Sequence, residues 1–183
     1  FIYYLRSGSV KMYALSEDGE EIMLHIFRPP SFFPLMLFLS DAKNNYYFEA
    51  VEPVVASVAR KDAVIEFVQS DKEILLDVTV RFSRAINGLL SRIESLAFYE
   101  AYSKIVSLFI YLAEKFGKPD AQGKTTITLD LPHQDRAAWA SIRRETASRQ
   151  LEKMIHEGLI EFKERHYQIP DSNKLKEKLS NKL

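Results

Sequence analysis

The chain is 183 residues long, 46% hydrophobic and 27% charged, the balance of a soluble globular protein with one large or two small domains. No stretch approaches the roughly 18 apolar residues of a membrane span, and the lack of cysteine excludes disulfides and the thiolate ligands of an iron–sulfur cluster, as a reducing cytoplasm allows. Formal charge is zero, yet the first 98 residues carry 10 Lys and Arg against 13 Asp and Glu while the rest carry 15 against 12, so basic charge gathers in the C-terminal half.

The chain opens at Phe1, without an initiator Met and inside a strand-like stretch, so an N-terminal piece of the natural protein is expected to be missing. Residues 1–5 alternate weakly into a Ser7-Gly8 turn. Val10, Met12 and Ala14 mark a second strand, and Asp18-Gly19 signals a hairpin. Ile22, Leu24 and Ile26 alternate in a third strand that stops at Pro29-Pro30. An apolar run over 32–39 and strands over 46–50 and 54–59 complete an all-β roll or barrel. Its aromatic residues Phe32, Phe33, Phe38, Tyr46, Tyr47 and Phe48 read as core or contact surface more readily than as a ligand box.

Residues 61–68 read as a short helix and 71–98 as a long one, in which Leu75, Val78, Phe82, Ile86, Leu89, Ile93 and Leu96 recur by threes and fours. Such a seam suits a paired coiled coil, packing on the roll, or both; Gly88 is its weak point. Residues 102–116 form an amphipathic helix through Ile105, Leu108, Phe109 and Leu112, closed by Gly117 and Pro119. A strand over 123–129 follows. Then come a helix over 131–140 with the polar start Pro132-His133-Gln134-Asp135, a Ser141-Ile142 turn, and a helix from Arg143 to a stop at Gly158. Two short strands, 159–163 and 166–169, precede a lysine-rich tail, 171–183, expected to be a frayed and solvated helix.

Within 143–154, Ala147, Leu151 and Met154 share one helical face, and Arg144, Glu145, Ser148 and Arg149 share the other. A charged face alone is usually only solvated. Here it follows a short helix and a tight turn and precedes a hairpin, which makes a winged helix-turn-helix with 143–154 as its recognition helix. The chemistry suits base edges in a major groove: Arg bonds guanine O6 and N7 together, and Glu accepts from cytosine N4.

The run Arg144-Glu145-Thr146-x-Ser148-Arg149-x-Leu151 resembles the recognition-helix signature of the cyclic-AMP receptor protein/FNR (Crp/Fnr) family of bacterial transcription regulators. Ile2-Tyr3-Tyr4-Leu5-x-x-Gly8-Ser9-Val10 with Asp18-Gly19-Glu20-Glu21 resembles the family's β-roll, and Leu96-Ala97-Phe98 through Leu112-Ala113 its hinge and the helix beyond. The matches fall in family order and span nearly the whole chain. They imply an α+β protein: a β-roll sensor of the cyclic-nucleotide-binding, jelly-roll type over 1–70, a dimerisation helix over 71–98, a hinge at 97–101, and a winged helix-turn-helix domain over 99–183. Carried over residue by residue, Glu145 and Arg149 would read one base pair together, Arg144 a second guanine, and Ser148 would stand where the FNR branch has Ser. Thr146, Lys163 and Arg165 would face phosphates.

Three positions depart from the family. Arg143 stands where a capping Ser or Thr is usual; a cation there opposes the helix dipole unless a phosphate docks, so it is expected to clamp a phosphate. Arg136 replaces an apolar residue, and Ser141 replaces the turn glycine. In the sensor half the family's Gly-Glu-Leu ribose turn is matched by Phe33-Pro34-Leu35-Met36-Leu37, its Arg-Ser phosphate pair by Asn44-Asn45, and its Thr-Ser adenine pair by Leu89-Leu90. A buried phosphate without a cation is costly, so cyclic AMP is not the expected effector. A small apolar or aromatic molecule touching Phe33, Leu35, Met36, Asn44, Asn45, Leu89 and Leu90 fits better, as does no effector.

His25 lies out of phase with Leu24 and Ile26, which favours a surface or hydrogen-bonded His over a haem ligand. His133, His156 and His166 have no metal-ligand spacing, and no P-loop, GxSxG or HExxH is present. The expectation is a cytoplasmic, non-enzymatic homodimer that needs no cofactor, reads a palindromic double-stranded DNA operator, answers to an unknown small effector and contacts RNA polymerase. The competing reading is a ligand-binding sensor or scaffold whose basic half contacts protein or RNA.

Overall fold

The computed structural model describes residues 1–36 and 43–180, which fall into two compact units, Phe1–Ser91 and Arg92–Leu183. The first unit holds strands β1 (Ile2–Ser7), β2 (Val10–Leu15), β3 (Glu21–Phe27), β4 (Ser31–Phe33), β5 (Tyr47–Ala50) and β6 (Val55–Ala59). They form two antiparallel three-stranded sheets, ordered β4-β1-β6 and β3-β2-β5. Leu5, Val10 and Phe33 are buried together with Phe27, Phe48 and Val54 packed against them. The Phe27 and Phe33 rings stack at 5.3 Å and those of Phe33 and Phe48 at 5.9 Å, so these aromatics are core. Gly8 has φ +81°, and a Cβ there would lie 2.3 Å from the Pro53 carbonyl oxygen, so only glycine fits this turn.

Helices α1 (Lys61–Gln69) and α2 (Lys72–Phe98) follow. The Asp71 carboxylate accepts from the Glu73 N–H at 2.7 Å and so serves the start of α2. Ile2, Leu35, Val64 and Val68 form a second core, against which Ile74, Val78 and Phe82 of α2 pack. The expected single seam therefore divides. Val78 and Phe82 belong to the roll, whereas Leu76, Ile86, Leu90 and Ile93 point outward, 53–63% exposed. The run over 32–39, expected as one extended segment, ends as a strand at Phe33; Leu35 and Met36 are helical, and 37–42 lie outside the described residues.

The second unit contains α3 (Ala101–Phe116), β7 (Gly117–Pro119), β8 (Thr125–Ile127), α4 (His133–Ala140), α5 (Arg144–His156), β9 (Glu161–Lys163), β10 (His166–Ile169) and α6 (Ser172–Ser180). Its four-stranded antiparallel sheet runs β7-β8-β10-β9. Ile105, Val106, Leu108 and Phe109 of α3 are fully buried, as the spacing of its apolar residues requires. The strand expected over 123–129 is shorter, and β7 pairs with it where only a helix stop was legible. The tail is a correction. Far from fraying, α6 buries Leu175 to 1% exposure and sends Lys176 to Glu114 at 3.4 Å and Lys178 to Glu157 at 2.9 Å.

Candidate DNA interface

The turn between α4 and α5 is made by Ser141 in the left-handed region, φ 49° and ψ 51°. Its N–H donates to the Ala137 carbonyl, and the Ile142 N–H donates to the same oxygen at 3.2 Å, which reverses the chain within two residues. Serine accepts here a conformation that glycine adopts without strain. Arg143 then takes the N-cap position of α5 in extended geometry, exposed, with no side-chain hydrogen bond to the first turn. The early N–H groups of α5 thus lack a side-chain acceptor at the cap, which a cationic residue occupies.

Burial sorts α5 as its periodicity demands. Ala147, Leu151 and Met154 are at most 3% exposed, while Arg144, Glu145 and Arg149 are exposed and Thr146 and Ser148 half-buried. Arg149 Nη2 approaches Thr146 Oγ1 at 3.5 Å, a contact too long to hold the fork. Ser148 Oγ lies 3.4 Å from Nδ1 of His133, the first residue of α4. Desolvation, then Arg136 and Arg144, hold the His133 imidazole below its ordinary range, with Asp130 opposing. In the sequence His133 is legible as part of a polar helix start and as a histidine without metal-ligand spacing, because nothing in its spacing announces a neighbour fifteen residues away.

The strands β9 and β10 meet through a two-residue turn, Glu164-Arg165, with φ 51° and 66°, the geometry that follows the twist of a hairpin. Arg165 is exposed at that tip. Lys163 is exposed but pairs with Glu161 at 3.2 Å, and Glu161 also receives Lys124 at 2.9 Å. Lys124, then Lys163, hold the Glu161 carboxyl below its ordinary range. Phe162 and Tyr167 pack across this wing at 4.9 Å.

At the other end of α5, the Tyr102 hydroxyl of α3 donates to Glu157 at 2.7 Å, and Lys178 of α6 pairs with the same carboxylate oxygen. Lys153 lies 4.6 Å over the Tyr102 ring. One carboxylate thereby ties three helices. Arg136, suspected from sequence as out of place, is 4% exposed and lies 5.1 Å from the Tyr167 ring centroid, with its Nε hydrogen-bonded to no described residue.

The residues expected to touch an effector do not converge. Phe33 lies in the aromatic core and Leu35 in the core shared by the roll with α1 and α2. Met36, Asn44, Asn45 and Leu90 are exposed, Leu89 is half-buried, and the Asn44 side chain accepts from the Tyr46 N–H at 3.0 Å. His25 packs edge-on against Phe27 at 4.7 Å. Among the described residues, no group of three or more His, Asp or Glu is placed to hold a metal ion, and no helix is long and apolar enough to cross a membrane.

Residues 103–178 match the profile of a Crp-like helix-turn-helix domain, and residues 1–71 that of a cyclic nucleotide-binding domain. Among curated proteins the chain is 31% identical over 166 residues to a global nitrogen regulator of Synechococcus elongatus, covering 87% of this chain and 72% of that one. It is 30% identical over 161 residues to the global nitrogen regulator of Nostoc sp., with the same coverage. Among solved structures, FixK2 from Bradyrhizobium japonicum superposes with TM-score 0.83 over 96% of this chain and 85% of that one, at 16% identity, and shares the fold. A winged helix-turn-helix joined to a β-sheet domain of the cyclic nucleotide-binding type makes a DNA-binding transcription regulator, not an enzyme. The chain belongs to the Crp/Fnr family.

Proposed function

We propose that the protein is a cytoplasmic homodimer that reads a palindromic operator through α5, with Arg144, Glu145, Ser148 and Arg149 on base edges and Arg143, Thr146, Lys163 and Arg165 on phosphates. The observation that carries this reading is the division of α5. Three apolar side chains anchor it, and two guanidinium groups and one carboxylate are exposed on the opposite face. The outward row Leu76, Ile86, Leu90 and Ile93 on α2 supplies the apolar surface a twin helix would cover. In this assignment residues 1–70 sense, 71–98 dimerise and 99–183 bind DNA.

The sensor answers to a small molecule other than cyclic AMP. The positions standing for the family's Arg-Ser phosphate pair are Asn44 and Asn45, two exposed amides, where an anionic phosphodiester is best met by a guanidinium fork. Effector binding would shift the population of hinge conformations that space the two reading helices, and contact with RNA polymerase would follow at the promoter.

Selecting bound DNA from a random pool, with and without cell extract as an effector source, tests the reading. The expected result is a twofold-symmetric sequence whose half-sites lie about one helical turn (~34 Å) apart. Arg149→Ala should then relax preference at one base pair of each half-site, each bidentate contact being worth about 1–3 kcal/mol. Selection of an asymmetric site, or relative affinities untouched by Arg149→Ala, would reject the assignment. Tight cyclic AMP binding by calorimetry would reject the effector reading.

A further inference from the structure

Helix α4 is short, spanning eight residues, and has no basic side chain in its last turn, so its C-terminal carbonyls lack the usual partner. The Ala137 carbonyl is served by the Ser141 and Ile142 N–H groups. The Trp139 carbonyl is served from elsewhere: Nη2 of Arg92, in the last turns of α2, donates to it at 2.8 Å. The Arg92 guanidinium carbon lies 3.9 Å from the Trp139 ring centroid. That ring packs 4.4 Å from Tyr111 of α3, at 32°. Ser95, one turn on from Arg92, is 8% exposed, so this face of α2 is covered. Burial pulls the Arg92 guanidinium down to about 10, which leaves it charged at neutral pH.

We infer that Arg92 is a positioning residue for DNA recognition: by donating to the last turn of α4 while stacking on Trp139, it fixes the Ser141–Arg143 turn and so the direction in which α5 is presented. Trp139 stands two residues before the left-handed Ser141, so a cation held on its carbonyl acts on the residues that aim α5. A guanidinium suits both tasks because it donates in its plane while its face lies on a ring; an ammonium can do one well. Since Arg92 lies on α2, a change at the end of that helix would reach the turn through two side chains. For its effect on DNA the inference rests on α5 being the reading helix; for its effect on the turn it does not.

The test uses the full chain with Arg92→Met, which keeps the stem and removes donor and charge, and Arg92→Lys, which keeps both in another shape. Trp139 is the only tryptophan, so its emission reports on this contact without ambiguity. Arg92→Met should change that emission, raise amide exchange selectively at residues 141–143, and weaken binding to the selected operator by roughly tenfold. Arg92→Lys should recover the greater part of each. Unchanged exchange at 141–143, exchange raised equally at every amide, or a Lys variant no better than Met would overturn the inference. Wild-type protein that selects no DNA would refute the reading of α5 instead, while the exchange and emission measurements would still decide the role of Arg92.

Discussion

Replacing Arg143 by serine should push stability and DNA binding in opposite directions. Arg143 sits at the N-cap of α5 with φ −65° and ψ 146°, the extended backbone a capping residue uses, yet its side chain bonds to nothing in the first turn. A serine in that conformation can accept from the N–H of Glu145 or Thr146, a gain of about 1 kcal/mol. Removing a cation from the positive end of the helix dipole adds about 0.3–1 kcal/mol, toward the lower figure because Arg143 is exposed. The second unit should therefore gain about 1–1.5 kcal/mol. In a domain of its size each kcal/mol raises Tm by about 4–8 °C.

On DNA the same change should remove one phosphate contact per reading helix. Each contact contributes a slope of about −0.9 to log K against log salt, so the slope should fall by about 0.9 per half-site and about 1.8 per dimer. Near ~0.15 M salt that loss is about fivefold per half-site, partly recovered if the serine hydroxyl donates to the same phosphate. Calorimetric melting and operator binding over a series of salt concentrations measure both effects. A salt slope equal to wild type would refute the clamp, and a lower Tm would show that Arg143 stabilises the free helix by some other contact.

Three further outcomes follow from the geometry. Ser141→Gly should stabilise the second unit by about 0.5–1 kcal/mol, relief of about 1–2 kcal/mol of left-handed strain offset by glycine's entropy; a lower denaturant midpoint would contradict the strain. Leu175→Ala should cost about 2–3 kcal/mol and expose the α6 amides to exchange, because Leu175 is 1% exposed; a loss under about 0.5 kcal/mol would return the tail to a solvated helix. Lys178, then Tyr102, hold the Glu157 carboxyl below its ordinary range, so its contribution is complete above the ordinary carboxylate range and is lost as pH falls through the depressed folded value. Wild type and Glu157→Gln should thus differ in stability at neutral pH and converge in acid; a constant difference would remove Glu157 from the clamp.

Periodicity reported faithfully wherever one side of an element meets one kind of environment. In α5, Ala147, Leu151 and Met154 are buried as their spacing requires, and the same spacing left Arg144, Glu145 and Arg149 outside. Turn chemistry was legible at Gly8 and at Asp18-Gly19, where the backbone needs positive φ. What the pattern left open had two surfaces or distant partners. In α2, threes and fours name apolar residues without saying that Val78 and Phe82 meet the roll while Ile86 and Ile93 face outward. The lysines of α6 read as solvent residues because their partners, Glu114 and Glu157, come from other helices. His133 beside Ser148 is invisible for the same reason: the contact exists only once Ser141 has turned the chain.

Helix α4 departs furthest from patterning, and its departures share a cause. Asp135 and Arg136 are buried among its alanines, and Trp139 is its one large apolar side chain. Two guanidinium groups meet aromatic rings beside that packing. Arg136 reaches out from α4 to the Tyr167 ring of β10, and Arg92 reaches in to the Trp139 ring and carbonyl. Burying such groups is costly and adds little net stability compared with apolar packing. It does impose direction, since a guanidinium must meet ring faces and carbonyl oxygens at particular angles while methyl groups can slide. A helix whose task is to aim the next one gains from that constraint. Arg136, which stands where the family pattern has an apolar residue, should join Arg92 in constraining the angle of α4.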